Sequence, residues 1–113
     1  MLKLFTAIAA IAVASFNPSA SSSETMLASW YGPGFHGNLT ANGERYDMHG
    51  ISAAHKTLPF GTKLRVCYEG CVVVSINDRG PYIGARELDL SYGAAKAIGL
   101  IDPGVASVNV IYL

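Results

Sequence analysis

The sequence predicts a small all-β domain, a β-barrel that carries one short helix. Three observations point there. Apolar runs with strand character are short and several. Glycines are many, 12 in 113 residues. Only one stretch, residues 92–98, reads as a helix. No internal repeat or second domain is visible, and 113 residues suffice for one domain.

The chain opens like an export signal. Lys3 supplies a short positive region, and residues 4–16 are apolar and uncharged. Asn17-Pro18-Ser19-Ala20-Ser21 then breaks the helix and offers small residues for cleavage. The apolar run is shorter than the roughly 20 residues a spanning helix needs. Residues 1–21 are therefore expected to be a signal peptide and residues 22–113 the folded domain. No cysteine lies near the cleavage region to accept a lipid. The expected product is exported, soluble in the periplasm or medium, and without a stable membrane anchor. The chain has 8 basic and 8 acidic residues, so losing Lys3 leaves a charge near −1. That balance argues against nucleic acid or an anionic membrane as the main partner.

The elements follow in order. Ser19 to Thr25 is Ser-rich and reads as a flexible leader. Met26 to Tyr31 is a first strand. Gly32 to Glu44 is loop, with five glycines or prolines in "GPGFHGNLTANG". Ile51 to His55 is a short strand, and Leu58 to Gly61 a turn. Lys63 to Cys67 alternates polar and apolar residues, the mark of a half-buried strand. Cys71 to Asn77 pairs with it as a hairpin. Tyr68-Glu69-Gly70 forms the tip, with Gly70 expected at positive φ. An oxidising compartment favours a Cys67–Cys71 disulfide across that tip. Two thiolates without a nearby histidine make a poor zinc site. Glu87 to Leu90 is a short strand, Ser91 an N-cap, Tyr92 to Ile98 the helix and Gly99 its C′ residue. Val105 to Tyr112 closes the domain as a strand.

The chemistry centres on "INDRGP", residues 76–81. An apolar strand there runs into Asn77-Asp78-Arg79. Turns prefer such residues, but a catalytic carboxylate at the end of a barrel strand would look the same. Further acids stand at Glu44, Asp47 and Asp89, and histidines at His36, His49 and His55. Trp30, Tyr31, Phe35, Tyr46 and Tyr82 lie near them in sequence. Carboxylates with aromatics suggest carbohydrate, because sugar rings stack on aromatic faces and glycosidic cleavage needs a proton donor. Asp47 reads equally well as a surface acid, and His36 and His49 as solvated or structural. No hydrolase triad order or nucleotide-binding glycine motif stands out.

Four stretches, "ASWYGPGFHGNLTANGERYDM", "SAAHKTLPFGTKLRV", "VVVSINDRGPY" and "ELDLSYGAAKAIGL", resemble the rare lipoprotein A family in the same order. The resemblance runs from Ala28 to about Val110. It implies a six-stranded double-psi β-barrel with one short helix. It also implies a lytic transglycosylase that cleaves MurNAc–GlcNAc bonds of peptidoglycan glycan strands, prefers strands without stem peptides and leaves 1,6-anhydro-MurNAc ends. Glu44 and Asp78 then sit where the family has its two essential acids. His55 matches a site histidine. Asp78 is expected as general acid, with Glu44 the second charge. Arg79 would hold Asp78 or a substrate oxygen, and Trp30, Tyr31, Tyr46 and Asn77 would bind substrate. Asp89 is expected to support the helix N-terminus. A second reading makes it a site acid, because related expansin and family-45 glycosidase barrels carry an acid in a similar stretch. Neither a cofactor nor a metal is expected, and the protein is read as a monomer. Two departures from the family pattern are the absent lipobox cysteine and the lack of room for a C-terminal glycan-binding domain. The rival function is an expansin- or barwin-like module that binds polysaccharide with little or no cleavage.

Overall fold

The computed structural model describes residues 23–113. The expected signal peptide, residues 1–21, lies outside the described residues. Among the described residues six strands and one α-helix follow in chain order: β1 Ser23–Tyr31, β2 Ser52–His55, β3 Lys63–Cys67, β4 Cys71–Asp78, β5 Leu88–Ser91, α1 Tyr92–Ile98 and β6 Ala106–Tyr112, with a single 3-10 turn at Pro33–Phe35 after β1. The strands close into a barrel in the order β1-β5-β2-β4-β3-β6. This is the six-stranded barrel with one helix that the family resemblance implied. β1 runs parallel to β5 and β2 parallel to β4, while the other four pairings are antiparallel.

Alternation fills the barrel. Leu64 and Val66 of β3 are fully buried between exposed Lys63 and Arg65. Val74 and Ile76 of β4 point the same way, but Val73, just before them, is 46% exposed. The apolar run is thus buried on one face only. Met26, Ala28, Leu88, Leu90, Val108 and Val110 complete the interior. Helix α1 closes one side with Ala94, Ala95 and Ile98. Its N-terminus is capped by Ser91, whose Oγ accepts from the Ala94 amide at 3.2 Å. Gly99 ends it in the left-handed conformation at φ 82°.

Two expectations are corrected. β1 begins at Ser23, so residues 23–25 are strand and not leader. They are polar, and only pairing with Ile111, Val110 and Asn109 of β6 makes them a strand. Gly70 is not among the glycines at positive φ. A Cβ there would sit 2.8 Å from the Ala97 carbonyl oxygen, so glycine is required by close approach to the helix. The Cys67–Cys71 disulfide is present, across the register pair that ends β3 and begins β4. The thiols are therefore not a metal pair.

Candidate active site

Register brings two acids together. Ala54 of β2 pairs with Asp78 of β4 on one side and with Asp89 of β5 on the other. An irregularity between Ala53 and Ala54 skips Asn77 and sets Asp78 opposite Ala54. Alanine is small, and space opens above it. Asp78, Asp89 and Ala54 share the wall of a cavity of about 370 Å³. Trp30, Tyr31, Gly32 and Phe35 come to it from the end of β1, and Arg79, Pro81, Ile83 and Arg86 from the segment between β4 and β5.

The two acids sit in different environments. Asp78 Oδ1 accepts from the amides of Ala41 and Arg79, each at 2.9 Å. An ionised carboxylate, which only accepts, suits that pair of donors. Asp89 Oδ1 accepts one hydrogen bond, from Ser29 Oγ at 2.9 Å. Burial pushes the Asp89 carboxyl above its usual range, and the nearby Asp78 charge adds to the rise. The Ser29 hydrogen bond and Arg86 oppose it without cancelling it. Ser91 caps the helix as expected, and Asp89 faces the cavity, the place that the second reading of the sequence gave it.

Glu44 is exposed and does not line the cavity. It is tied to the site indirectly. Asn77 Nδ2 donates to Glu44 Oε1 at 3.0 Å. The Thr40 amide donates to the Glu44 carbonyl at 2.7 Å, and Thr40 Oγ1 donates to Asn42 Oδ1 at 2.6 Å. These bonds fold "TANGE" into the loop that delivers the Ala41 amide to Asp78. Asn77 is 9% exposed, and its Oδ1 has no partner among the described residues.

Arg79 engages Asp78 through its backbone N–H, and its guanidinium is used elsewhere. Nη1 donates to the carbonyls of Leu58 at 2.9 Å and His55 at 3.3 Å, and the guanidinium carbon lies 4.0 Å from the centre of the Phe60 ring. His55 Nδ1 accepts from the amides of Thr57 and Leu58, both at 3.1 Å. Those bonds place the proton of the neutral ring on Nε2. Burial lowers the pKa of His55, so its neutral form is favoured. His55 thus shapes the turn that Arg79 grips and does not line the cavity.

The aromatics divide. Tyr31 lines the cavity, stacked on Tyr46 with ring centres 4.3 Å apart and edge-on to Phe35 at 5.7 Å. Burial, with Asp78 nearby, raises the Tyr31 pKa well above the usual phenol value, so it remains a neutral donor. Its hydroxyl lacks a well-formed hydrogen bond, with Ser52 alongside. Tyr46 is 2% exposed; its hydroxyl donates to the Tyr31 carbonyl at 2.6 Å and accepts from the Tyr92 amide at 3.1 Å. A buried ring offers no face to a ligand, so Tyr46 supports Tyr31 instead of forming part of a platform. Trp30 is half-buried, with Nε1 donating to the Ile101 carbonyl at 3.3 Å.

Sequence reading missed Ile83, Pro81 and Arg86 as wall residues. Pro81 ends the "INDRGP" turn and Ile83 and Arg86 follow it, and no pattern along the chain announces that this segment folds over the acids. Phe35 drew notice only as a nearby aromatic.

Over residues 23–110 the chain matches the family described as "Lytic transglycolase". It is 58% identical over 85 residues to a Synechocystis protein named "Probable endolytic peptidoglycan transglycosylase RlpA", a match that covers 73% of this chain and 26% of that one. It is 51% identical over 86 residues to the endolytic peptidoglycan transglycosylase RlpA of Pseudomonas aeruginosa, covering 74% of this chain and 25% of the relative. The chain thus spans about a quarter of the length of these curated relatives. Among solved structures, a Streptomyces papain inhibitor superposes with a TM-score of 0.65 at 22% identity, over 80% of this chain and 94% of that one. An expansin of Clavibacter michiganensis, solved with cellohexaose, gives a TM-score of 0.65 at 19% identity, over 80% of this chain and 50% of the expansin. Identities this low speak to fold alone.

Proposed function

The chain belongs to the lytic transglycolase family, and on that premise we propose that it cleaves MurNAc–GlcNAc bonds of peptidoglycan glycan strands and leaves 1,6-anhydro-MurNAc ends. The carrying observation is the pair of unequal carboxyl groups on one cavity wall, Asp78 and Asp89. Glycosidic cleavage needs a proton donor and a second carboxylate, and unequal environments divide those duties.

Asp89, whose proton is held more tightly by burial, donates to the glycosidic oxygen as the C1–O bond breaks. Asp78, carboxylate-like in its two amide bonds, stabilises the positive charge that develops at C1. The MurNAc C6 hydroxyl then attacks C1, closing the 1,6-anhydro ring, and a carboxylate takes the hydroxyl proton. No water enters the product. This assignment moves the donor from Asp78, where the sequence reading put it, to Asp89. Glu44 braces the loop that holds Asp78. His55 and Arg79 fix the turn at the cavity edge, Tyr31 offers a hydroxyl, and Asn77 an unspent carbonyl oxygen. Trp30 lines this wall and Tyr46 backs it. The protein acts outside the cytoplasm as a monomer with no membrane anchor, after removal of residues 1–21, and prefers strands without stem peptides.

The test is incubation of mature protein with stem-free glycan, followed by mass analysis of the products. Anhydro ends are expected. Reducing ends would make it a hydrolase. Unchanged glycan with measurable binding would favour the expansin-like module, for which the exposed Phe35, Tyr82 and Ile83 at 55%, 73% and 63% supply a sugar-facing surface.

A further inference from the structure

We propose that Arg86 is the recognition point for a free carboxylate on the bound glycan: the lactyl acid of a muramyl sugar that carries no peptide. The inference rests on the proposed glycan-cleaving function and names the feature of the substrate the cavity reads.

Arg86 lines the cavity with both acids. Its backbone is fixed on both sides. The amide donates to the Ile83 carbonyl at 3.3 Å, and its own carbonyl accepts from Lys56 Nζ at 3.1 Å. Its side chain is half-buried, yet it makes no ion pair within 4.0 Å among the described residues. The other arginine of the wall differs. Arg79 spends Nη1 on the Leu58 and His55 carbonyls and lies over Phe60. Asp78 already takes two amides, and Asp89 takes Ser29. Arg86 is thus the cavity cation whose hydrogen-bonding capacity is unspent among the described residues.

A guanidinium presents a planar fork of donors that matches a carboxylate. The rings, hydroxyls and N-acetyl groups of the glycan are neutral. Its one acid is the lactyl group on C3 of the muramyl ring, the same ring whose C1 is attacked. A stem peptide converts that acid to an amide, which removes the charge and adds bulk. An arginine in a cavity of about 370 Å³ therefore discriminates twice, by charge and by room.

The experiment compares two substrates: glycan strands with free lactyl acids, and the same strands with those acids converted to methylamides. A charged hydrogen bond of ordinary strength predicts that wild-type protein favours the free acid by about 10- to 100-fold in kcat/KM, mostly through KM. Arg86→Gln should collapse that ratio toward one, and Arg86→Lys should keep part of it. Thermal melts establish that both variants are folded. A folded Arg86→Gln protein with the wild-type ratio overturns the inference, as does wild-type protein that does not discriminate. Calorimetric binding of the same two glycans gives a second measure of the ratio. Absence of cleavage would count against the proposed function, while the binding ratio would still decide Arg86. Peptide-bearing strands form the last arm. If they bind as tightly as stem-free strands, and do so through Arg86, the arginine reads a peptide acid and the inference fails.

Discussion

Strand β4 begins at a covalent cross-link and ends at an acid, and its two ends are built in opposite ways. At Cys71 the groups are satisfied locally. The disulfide closes the tip, the Tyr68 amide donates to the Gly70 carbonyl at 2.9 Å, and the Glu69 and Gly70 amides both donate to the Ile98 carbonyl at the end of α1. At Asp78 they are not. Asn77 Oδ1 is buried without a partner among the described residues, Asp89 is desolvated, and Tyr82 stands 73% exposed beside the turn. Unsatisfied buried polarity costs stability. A fold keeps it where a ligand can supply the missing partner. One strand therefore separates a closed, stabilising end from an open, reactive one.

The sharpest way to break this contrast is Asp89→Asn. An amide keeps the shape and can still accept from Ser29, but it has no proton to give. Activity should fall by about 10²- to 10⁴-fold, the usual contribution of general acid catalysis. Stability should move the other way. The folded pKa of Asp89 is raised, so the folded state binds more protons than the unfolded state once pH passes the ordinary carboxylate value near 3.9. Wild-type stability therefore declines as pH rises from there through the folded pKa, and is reduced above it. The variant lacks that loss and should melt at higher temperature at neutral pH. Melting curves from pH 3 to 8 read this directly; a variant less stable than wild type at pH 7 counts against the desolvated site. A pH–rate profile should also lose its alkaline limb in the variant.

Asp78→Asn comes next. Asparagine Oδ1 can keep the amide bonds from Ala41 and Arg79, so the fold should persist with little change in melting temperature. Charge stabilisation at C1 is lost, and activity should drop by about 10²-fold or more. Glu44→Gln acts one step away, through the loop that supplies the Ala41 amide, so its loss should be smaller. If Glu44→Gln proves worse than Asp78→Asn in folded protein, the exposed acid takes part in the chemistry itself.

How legible was this in the sequence? Local signals carried over well. Helix α1 runs Tyr92–Ile98 with Ser91 as cap and Gly99 left-handed, as expected, because caps and C′ glycines act within one turn. The hairpin and its disulfide were legible for the same reason. What failed depends on partners far along the chain. Residues 23–25 become strand only against β6. Gly70 answers to Ala97, not to its own turn. Asp89 bonds Ser29, 60 positions away, and meets Asp78 only through Ala54. Tyr46 looked like a groove aromatic until the chain folded it under Tyr31. Arg86 sits in no motif, so only the closed barrel reveals that it shares a wall with the acids.

At the closed end the effects should fall on stability alone. Gly70→Ala is the larger. Its backbone is not in the left-handed region, so alanine faces only the clash, a Cβ 2.8 Å from the Ala97 carbonyl. Overpacking of that kind costs about 1–3 kcal/mol. Chemical denaturation should show the loss, with kcat unchanged. A neutral outcome would mean the tip yields easily and does not brace α1.

The smallest expected effect is that of replacing both Cys67 and Cys71 with serine. The cross-link joins residues only 4 apart in sequence. Loop-closure entropy grows with the enclosed length, so a loop this short gains at most about 2 kcal/mol. The register it pins is held independently by the β3–β4 pairing and by the two amides donated to Ile98. The double variant should therefore fold, lose about 2 kcal/mol or less by denaturant melt, and cleave glycan at the wild-type rate. Thiol titration of the native protein should find no free thiol. If reduction or the serine variant instead abolished cleavage while the fold held, strain at one end of β4 would reach Asp78 at the other. The two ends would then form one coupled unit, and the separation drawn from this strand would not stand.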